Sequence, residues 1–278
     1  MRIYGFQKTT LLDYPEHVAA TIFTGGCNFR CPFCQNAGLV LPRKNATSGA
    51  EVPDAGLRDA EVLDAGFEGD IIPEAQVWAH LQKRRNVLDG VCITGGEPTL
   101  QPDLEDFIIR VRELGYKVKL DTNGYRPEVL RHLLEQGLLD YVAMDVKASE
   151  DHYARAVGLE QCNDPGDAAG SGALESGVDG LGVFQWEKIR ESIGILRECG
   201  IPYEFRTTAV KGLHTVEEFD RIGRLLAGSR AYFIQNYKDS GQILKGDGLS
   251  GFGTDELMEM KRLAGQYIDR VELRGVDS

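Results

Sequence analysis

Cys27, Cys31 and Cys34 form a C-x3-C-x2-C run directly after the apolar stretch 18–26. Three thiolates in one short loop can ligate three irons of a cubic four-iron four-sulfur cluster, leaving the fourth iron open to a substrate or cofactor. A zinc site takes four protein ligands, or three and a water, usually from two separated pairs, and the sequence offers no second pair. A c-type haem needs His after the second cysteine of C-x2-C, and position 35 is Gln. A zinc or redox thiol loop is the alternative reading. Cys92 and Cys199 read as small core residues, and Cys162 stands alone.

Further residues capable of chemistry follow apolar runs. They are Thr94-Gly95-Gly96-Glu97-Pro98, Asp121-Thr122-Asn123-Gly124, Asp145-Val146-Lys147, Arg206-Thr207-Thr208 and Gln235-Asn236. Paired glycines expose backbone to close approach by a ligand, or else make a tight strand-to-helix turn. Asp145 and Lys147 alternate with Val146 and so share a strand face, where buried charges need partners. A zwitterionic ligand would supply them, with Lys147 on a carboxylate and Asp121 or Asp145 on an ammonium group; an internal Asp–Lys pair is the alternative. Arg206 suits a carboxylate or the covering of strand ends.

The elements that must position these groups alternate. Strands are expected over 18–24, 91–94, 117–121, 141–146, 203–208 and 232–236, and helices over 73–85, 102–114, 127–136, 186–199, 216–227 and 255–267. Thr215 with Glu218 reads as a capping box, Thr254 as an N-cap, and Pro102 and Pro127 suit first helical turns. Six β-then-α units imply a parallel sheet with right-handed crossovers, whose C-terminal strand edge assembles the site. The expected fold is α/β, a partial (β/α)6 TIM-like barrel in one domain over 1–278, with core motifs in 15–238. Insertions are expected at 43–72 and 160–182, and a helix–strand extension at 254–275. Gly246–Gly251 matches G-x-G-x-x-G but does not directly follow a strand, so it reads as a mobile loop. None of the five histidines forms a ligand pair.

The 278 residues carry a net charge of −12 with a pI near 5.0, which argues against a nucleic-acid partner. Lys83-Arg84-Arg85 reads as the solvated end of a helix. No run approaches a membrane span and no secretion signal is visible, so a reducing cytoplasmic location is expected.

The cysteine motif, with Phe33 before its last cysteine, and Gly95-Gly96-Glu97-Pro98 together resemble the radical S-adenosylmethionine superfamily. Gly5-Phe6-Gln7-Lys8, Leu12-Asp13-Tyr14-Pro15 and the run 24–34 resemble more narrowly the activating proteins of anaerobic ribonucleotide reductase, relatives of the pyruvate formate-lyase activating enzyme. The resemblance covers about residues 1–42 and 88–238. It implies a four-iron four-sulfur cluster on Cys27, Cys31 and Cys34, and S-adenosylmethionine chelated to the open iron. Reductive cleavage of that cofactor to methionine and a 5′-deoxyadenosyl radical would then lead to hydrogen abstraction from a glycine of a partner glycyl-radical enzyme. It also implies that Gly95, Gly96 and Glu97 cradle the methionyl amino group, with Asp121, Asp145 and Lys147 around the methionyl and ribose parts. A monovalent cation on Asp121, Thr122 and Asp145, and flavodoxin or ferredoxin as electron donor, belong to the same set of implications. Gln35 departs from the pattern, which usually carries His there. A radical enzyme acting on a small molecule, such as a deazapurine carboxylate synthase, and a non-enzymatic iron–sulfur carrier or sensor are the competing readings.

Overall fold

The computed structural model describes residues 1–40, 71–159, 184–239, 241 and 243–276. Except for Ile71 and Ile72, the expected insertions lie outside the described residues, as does Cys162.

Eight strands form one sheet in chain order: β1 (Ile3–Thr10), β2 (Ala19–Thr24), β3 (Gly90–Gly95), β4 (Lys117–Thr122), β5 (Tyr141–Asp145), β6 (Tyr203–Ala209), β7 (Tyr232–Asn236) and β8 (Val271–Arg274). β1 is antiparallel to β2, and every later neighbour pair is parallel. The helices are α1 (Ala37–Val40), α2 (Glu74–Lys83), α3 (Leu104–Glu113), α4 (Pro127–Glu135), α5 (Glu150–Ala156), α6 (Trp186–Glu198), α7 (Glu218–Leu225) and α8 (Thr254–Ala264). The sheet curls without closing and forms a partial TIM-like barrel.

Strand composition follows from burial on both faces, which favours short continuous apolar runs over alternation. Val91, Cys92 and Ile93 of β3 and Val142, Ala143 and Met144 of β5 are wholly buried. Helices turn one stripe inward, as with Leu130 and Leu133 of α4, Ile189, Ile193 and Leu196 of α6, and Phe219 and Ile222 of α7. Register then aligns the strand ends: Thr24 pairs with Gly95, Thr122 with Met144, Asp145 with Arg206 and Thr208 with Gln235. One edge therefore collects the groups that follow each strand.

The six expected strands and six expected helices occur at nearly the expected positions. β1, α1 and α5 were not expected, and the strand anticipated near the end is β8, parallel to β7. The caps differ from expectation. Helix α7 starts at Glu218, whose carboxylate turns inward to accept from Ser149 N and Oγ at 2.9 Å each, instead of closing a box with Thr215. Thr254 is the first helical residue of α8; Gly253 is the cap, its N–H donating to Glu256 at 2.9 Å. Pro127 opens α4, whereas Pro102 precedes α3 by two residues.

Candidate active site

The cysteine loop leaves β2 and is tied to the body by main chain. Gly26 N–H donates to Leu39 O at 2.7 Å, Arg30 N–H to Val157 O at 2.8 Å, and Lys245 N–H to Pro32 O at 2.9 Å. The Arg30 guanidinium folds back on its own loop, donating to Cys27 O at 2.6 Å and Phe29 O at 2.9 Å. Phe29 is buried in an aromatic nest with Tyr125, 5.3 Å between ring centres. Gln35 reaches Lys238 O at 3.1 Å and so joins the loop to the end of β7.

Burial, with a smaller contribution from the neighbouring thiols, pushes Cys27 up to about 12. Burial does the same to Cys31, also to about 12, and raises Cys34. As free thiols the three stay protonated at neutral pH, so thiolates here require a bound cationic centre. The surroundings fit such a centre. Phe29 N–H points at Cys27 Sγ at 3.4 Å, Asn36 N–H bonds the Cys34 sulfur, and the buried Asn28 Nδ2 finds no acceptor among the described residues. Donors around sulfur suit an iron–sulfur cluster.

Gly95 and Gly96 are required by the neighbouring strand. A Cβ on Gly95 (φ +120°) would lie 2.3 Å from Thr24 N, and one on Gly96 would lie 2.1 Å from Gly26 O. Gly96 N–H donates to Thr24 O and Glu97 N–H to Gly26 O, both at 2.8 Å, which welds this turn to the root of the cysteine loop. Glu97 is fully buried. Its Oε1 accepts from Thr99 N at 3.1 Å, Thr99 Oγ1 at 2.6 Å and Thr122 Oγ1 at 2.8 Å, and its Oε2 from Asn123 N at 2.7 Å. Burial raises its carboxyl above the ordinary value while these donors oppose the shift.

Across the cavity the charged residues pair with each other. Lys147 Nζ meets Asp145 Oδ2 at 2.9 Å, Arg206 Nε meets Asp145 Oδ1 at 2.9 Å, Arg206 Nη1 meets Asp121 Oδ2 at 3.2 Å, and Lys119 Nζ contacts Asp121 Oδ1. Burial alone would raise both carboxyls, but Arg206 with Lys147 holds Asp145 well below its usual range, and Arg206 with Lys119 lowers Asp121. Lys147 is raised, because Asp145 outweighs the effect of burial. Every carboxylate oxygen of Asp121 and Asp145 already faces a cationic side chain. Thr122 Oγ1 is engaged by Glu97 and by Gly124 N–H. A monovalent cation at Asp121, Thr122 and Asp145 would share oxygens that these side chains already engage.

All these groups line one cavity of about 370 Å³: the three cysteines, Gly95, Gly96, Glu97, Asp121, Thr122, Asn123, Asp145, Lys147, Arg206, Thr208 and Gln235. That size falls in the usual range for ligand pockets, about 300–1,000 Å³. A smaller cavity of about 330 Å³ adjoins it and shares Phe23, Gln35 and Asn36 with it. Sequence reasoning missed Asp13, Thr21 and Lys119. Asp13 accepts from Thr21 Oγ1 at 2.5 Å and lines the cavity, while Lys119 is 2% exposed beneath it. The signal for Lys119 was present, since it alternates with Asp121 on one face of β4. Cys92 is buried as expected, with its sulfur 3.7 Å from both Lys119 Nζ and Asp121 Oδ1.

The Gly246–Gly251 loop lies between β7 and α8. It is pinned by Lys211 N–H to Ser250 O at 2.8 Å and Ser250 N–H to Lys211 O at 3.2 Å. His214 is buried, its Nε2 2.8 Å from Lys147 O and its Nδ1 accepting from Val210 N–H at 3.0 Å.

The chain is similar to several known proteins. Over 280 aligned residues, 99% of this chain and 96% of the relative, the sequence is 29% identical to the "Putative glycyl-radical enzyme activating enzyme" of Methanocaldococcus jannaschii. It is 32% identical over 124 residues to the 7-carboxy-7-deazaguanine synthase of Methanopyrus kandleri, spanning 44% of this chain and 46% of that one. In fold it resembles Streptococcus suis SuiB bound to S-adenosylmethionine, with a TM-score of 0.55 at 14% identity, over 91% of this chain and about half, 49%, of that longer protein. No helix among the described residues is long and apolar enough to cross a membrane. Residues 21–226 match the model of the radical SAM superfamily, and the chain belongs to that superfamily.

Proposed function

We propose that this protein is a glycyl-radical enzyme activating enzyme. Membership of the superfamily implies a four-iron four-sulfur cluster and S-adenosylmethionine, and Cys27, Cys31 and Cys34 are the residues that would hold the cluster. The observation that carries the finer reading is the end-to-end correspondence with a relative named for this activity, 99% of one chain against 96% of the other. When bound, the cluster and S-adenosylmethionine supply a 5′-deoxyadenosyl radical that takes hydrogen from a glycine of the partner enzyme.

The chain's own residues bind, orient and exclude water. Gly95 and Gly96 offer backbone edges to the methionyl amino group. Glu97 holds that turn rigid through its four donors and keeps acceptor capacity on Oε2. Lys147 and Arg206 would exchange part of their pairing with Asp145 for the methionyl carboxylate, freeing Asp145 and Asp121 for ammonium or ribose hydroxyl donors. The unclosed sheet leaves a side through which a glycine-bearing loop can enter, and a partner that seals the cavity would keep water from a reactive carbon radical. Flavodoxin or ferredoxin would serve as electron donor.

The test is anaerobic reduction with S-adenosylmethionine and an assay for 5′-deoxyadenosine, followed by incubation with a candidate glycyl-radical enzyme. The expected result is a carbon-centred doublet in electron paramagnetic resonance, lost when the partner's loop glycine becomes alanine. Cofactor cleavage without a doublet on any such partner would favour a small-molecule substrate, a reading supported by the 32% identity to a deazaguanine synthase over part of the chain. Bound cluster with no cleavage would leave only a carrier or sensor.

A further inference from the structure

The carboxamides of Asn28 and Asn123 lie side by side next to Cys27 and are 7% and 6% exposed. A backbone group fixes their orientation. Tyr125 N–H donates to Asn123 Oδ1 at 3.0 Å, so Asn123 must turn its Nδ2 outward, to Asn28 Oδ1 at 2.8 Å. Asn28 Oδ1 is thereby used as an acceptor and also lies 3.9 Å from Cys27 Sγ, while the Asn28 Nδ2 hydrogens meet no acceptor among the described residues. A buried amide donor left without a partner is rare and costly. Asn123 Nδ2 also lies 3.9 Å from Cys27 Sγ, a sulfur that already receives Phe29 N–H at 3.4 Å. The one side-chain acceptor here, Asn28 Oδ1, is taken by Asn123, the Asn28 amide donor is left over, and the sulfurs of a bound cluster are acceptors.

We propose that the Asn28 and Asn123 carboxamides donate hydrogen bonds to the cluster at its Cys27 corner and thereby raise its reduction potential. Reduction adds one negative charge to the cluster, and that charge spreads onto the sulfurs. Donors aimed at sulfur stabilise the reduced form more than the oxidised form. The two residues are positioning residues acting through Cys27. The inference rests on the cluster reading above.

The experiment is a redox titration of the full-length, anaerobically reconstituted protein, following the electron paramagnetic resonance signal of the reduced cluster after iron and sulfide have been quantified. At the potential where half of the wild-type cluster is reduced, Asn28→Ala is expected to lower the reduced-to-oxidised ratio about tenfold, equivalent to about 59 mV for a one-electron couple. Asn28→Asp keeps the acceptor for Asn123 but adds charge, and should lower the ratio further. Full iron content with an unchanged ratio in Asn28→Ala overturns the proposal and gives the donor to water; so does a shift seen only in Asn28→Asp, which would reflect charge alone. Should the variants fail to hold iron, wild type carrying asparagine labelled with 15N at the side-chain amide gives an independent answer. A 15N coupling to the reduced cluster in electron–nuclear double resonance is expected, and its absence overturns the proposal. A wild type that binds no iron at all would instead defeat the cluster reading itself.

Discussion

The two walls of the cavity are held by different means. On the β2–β4 side the parts meet main chain to main chain: Gly95 and Gly96 press against Thr24–Gly26, and Glu97 collects hydroxyl and amide donors without any cationic partner. On the β4–β6 side a ladder of charge runs Lys147–Asp145–Arg206–Asp121–Lys119. The contrast teaches a division of labour. Backbone contacts without room for a Cβ fix one geometry, whereas ion pairs can exchange partners when a charged ligand arrives.

Changes that remove one member of each wall sharpen the contrast. The largest expected effect is Arg206→Met, which strips a partner from both Asp121 and Asp145 and should cost about 3–5 kcal/mol in urea unfolding, since breaking a buried pair leaves uncompensated charge. Its pH signature follows from the depressed carboxyls. Both carboxylates contribute stability that is present above their ordinary value of 3.8 and is lost as pH falls through their lower folded values. Unfolding free energy of the wild type should therefore decline below about pH 4, and the decline should flatten in Arg206→Met. An equal acid slope in both would show that the ladder is not its source.

Next is Gly96→Ala, whose methyl would sit 2.1 Å from Gly26 O. A cost of about 3 kcal/mol is expected, with reduced iron uptake after reconstitution because the root of the cysteine loop must move. Glu97→Gln keeps the shape but replaces one acceptor oxygen with an NH2 group that faces donors, and a cost of about 2 kcal/mol is expected by thermal or urea melting. A near-neutral result would mean that the β2–β4 wall does not depend on the carboxylate. Gln35→Ala, which removes an exposed contact to Lys238 O, should cost no more than about 1 kcal/mol and leave iron content intact.

The chemistry-bearing residues were legible because spacing and alternation encode them. The spacing of Cys27, Cys31 and Cys34 singles out their loop, and the positions of Glu97, Asp121, Asp145 and Arg206 at strand ends follow from reading apolar runs as parallel strands. Helix starts were less legible. Glu218 carries a capping signature, yet it is drawn inward by Ser149, a residue 69 positions away. β1 escaped notice because Gly5, Gln7, Lys8, Thr9 and Thr10 dilute its apolar content at the edge of the sheet.

The sequence by itself determined which groups stand at which strand ends, since local periodicity depends only on near neighbours along the chain. The tertiary structure alone decided who pairs with whom. Arg206 reaches Asp121 across 85 residues, Thr24 and Gly26 fill the space beside Gly95 and Gly96, and Asn123 lies against Asn28 from 95 residues away. Those partnerships are set by strand register and barrel curvature, which arise from the packing of the whole sheet and leave no trace in the spacing of any one segment.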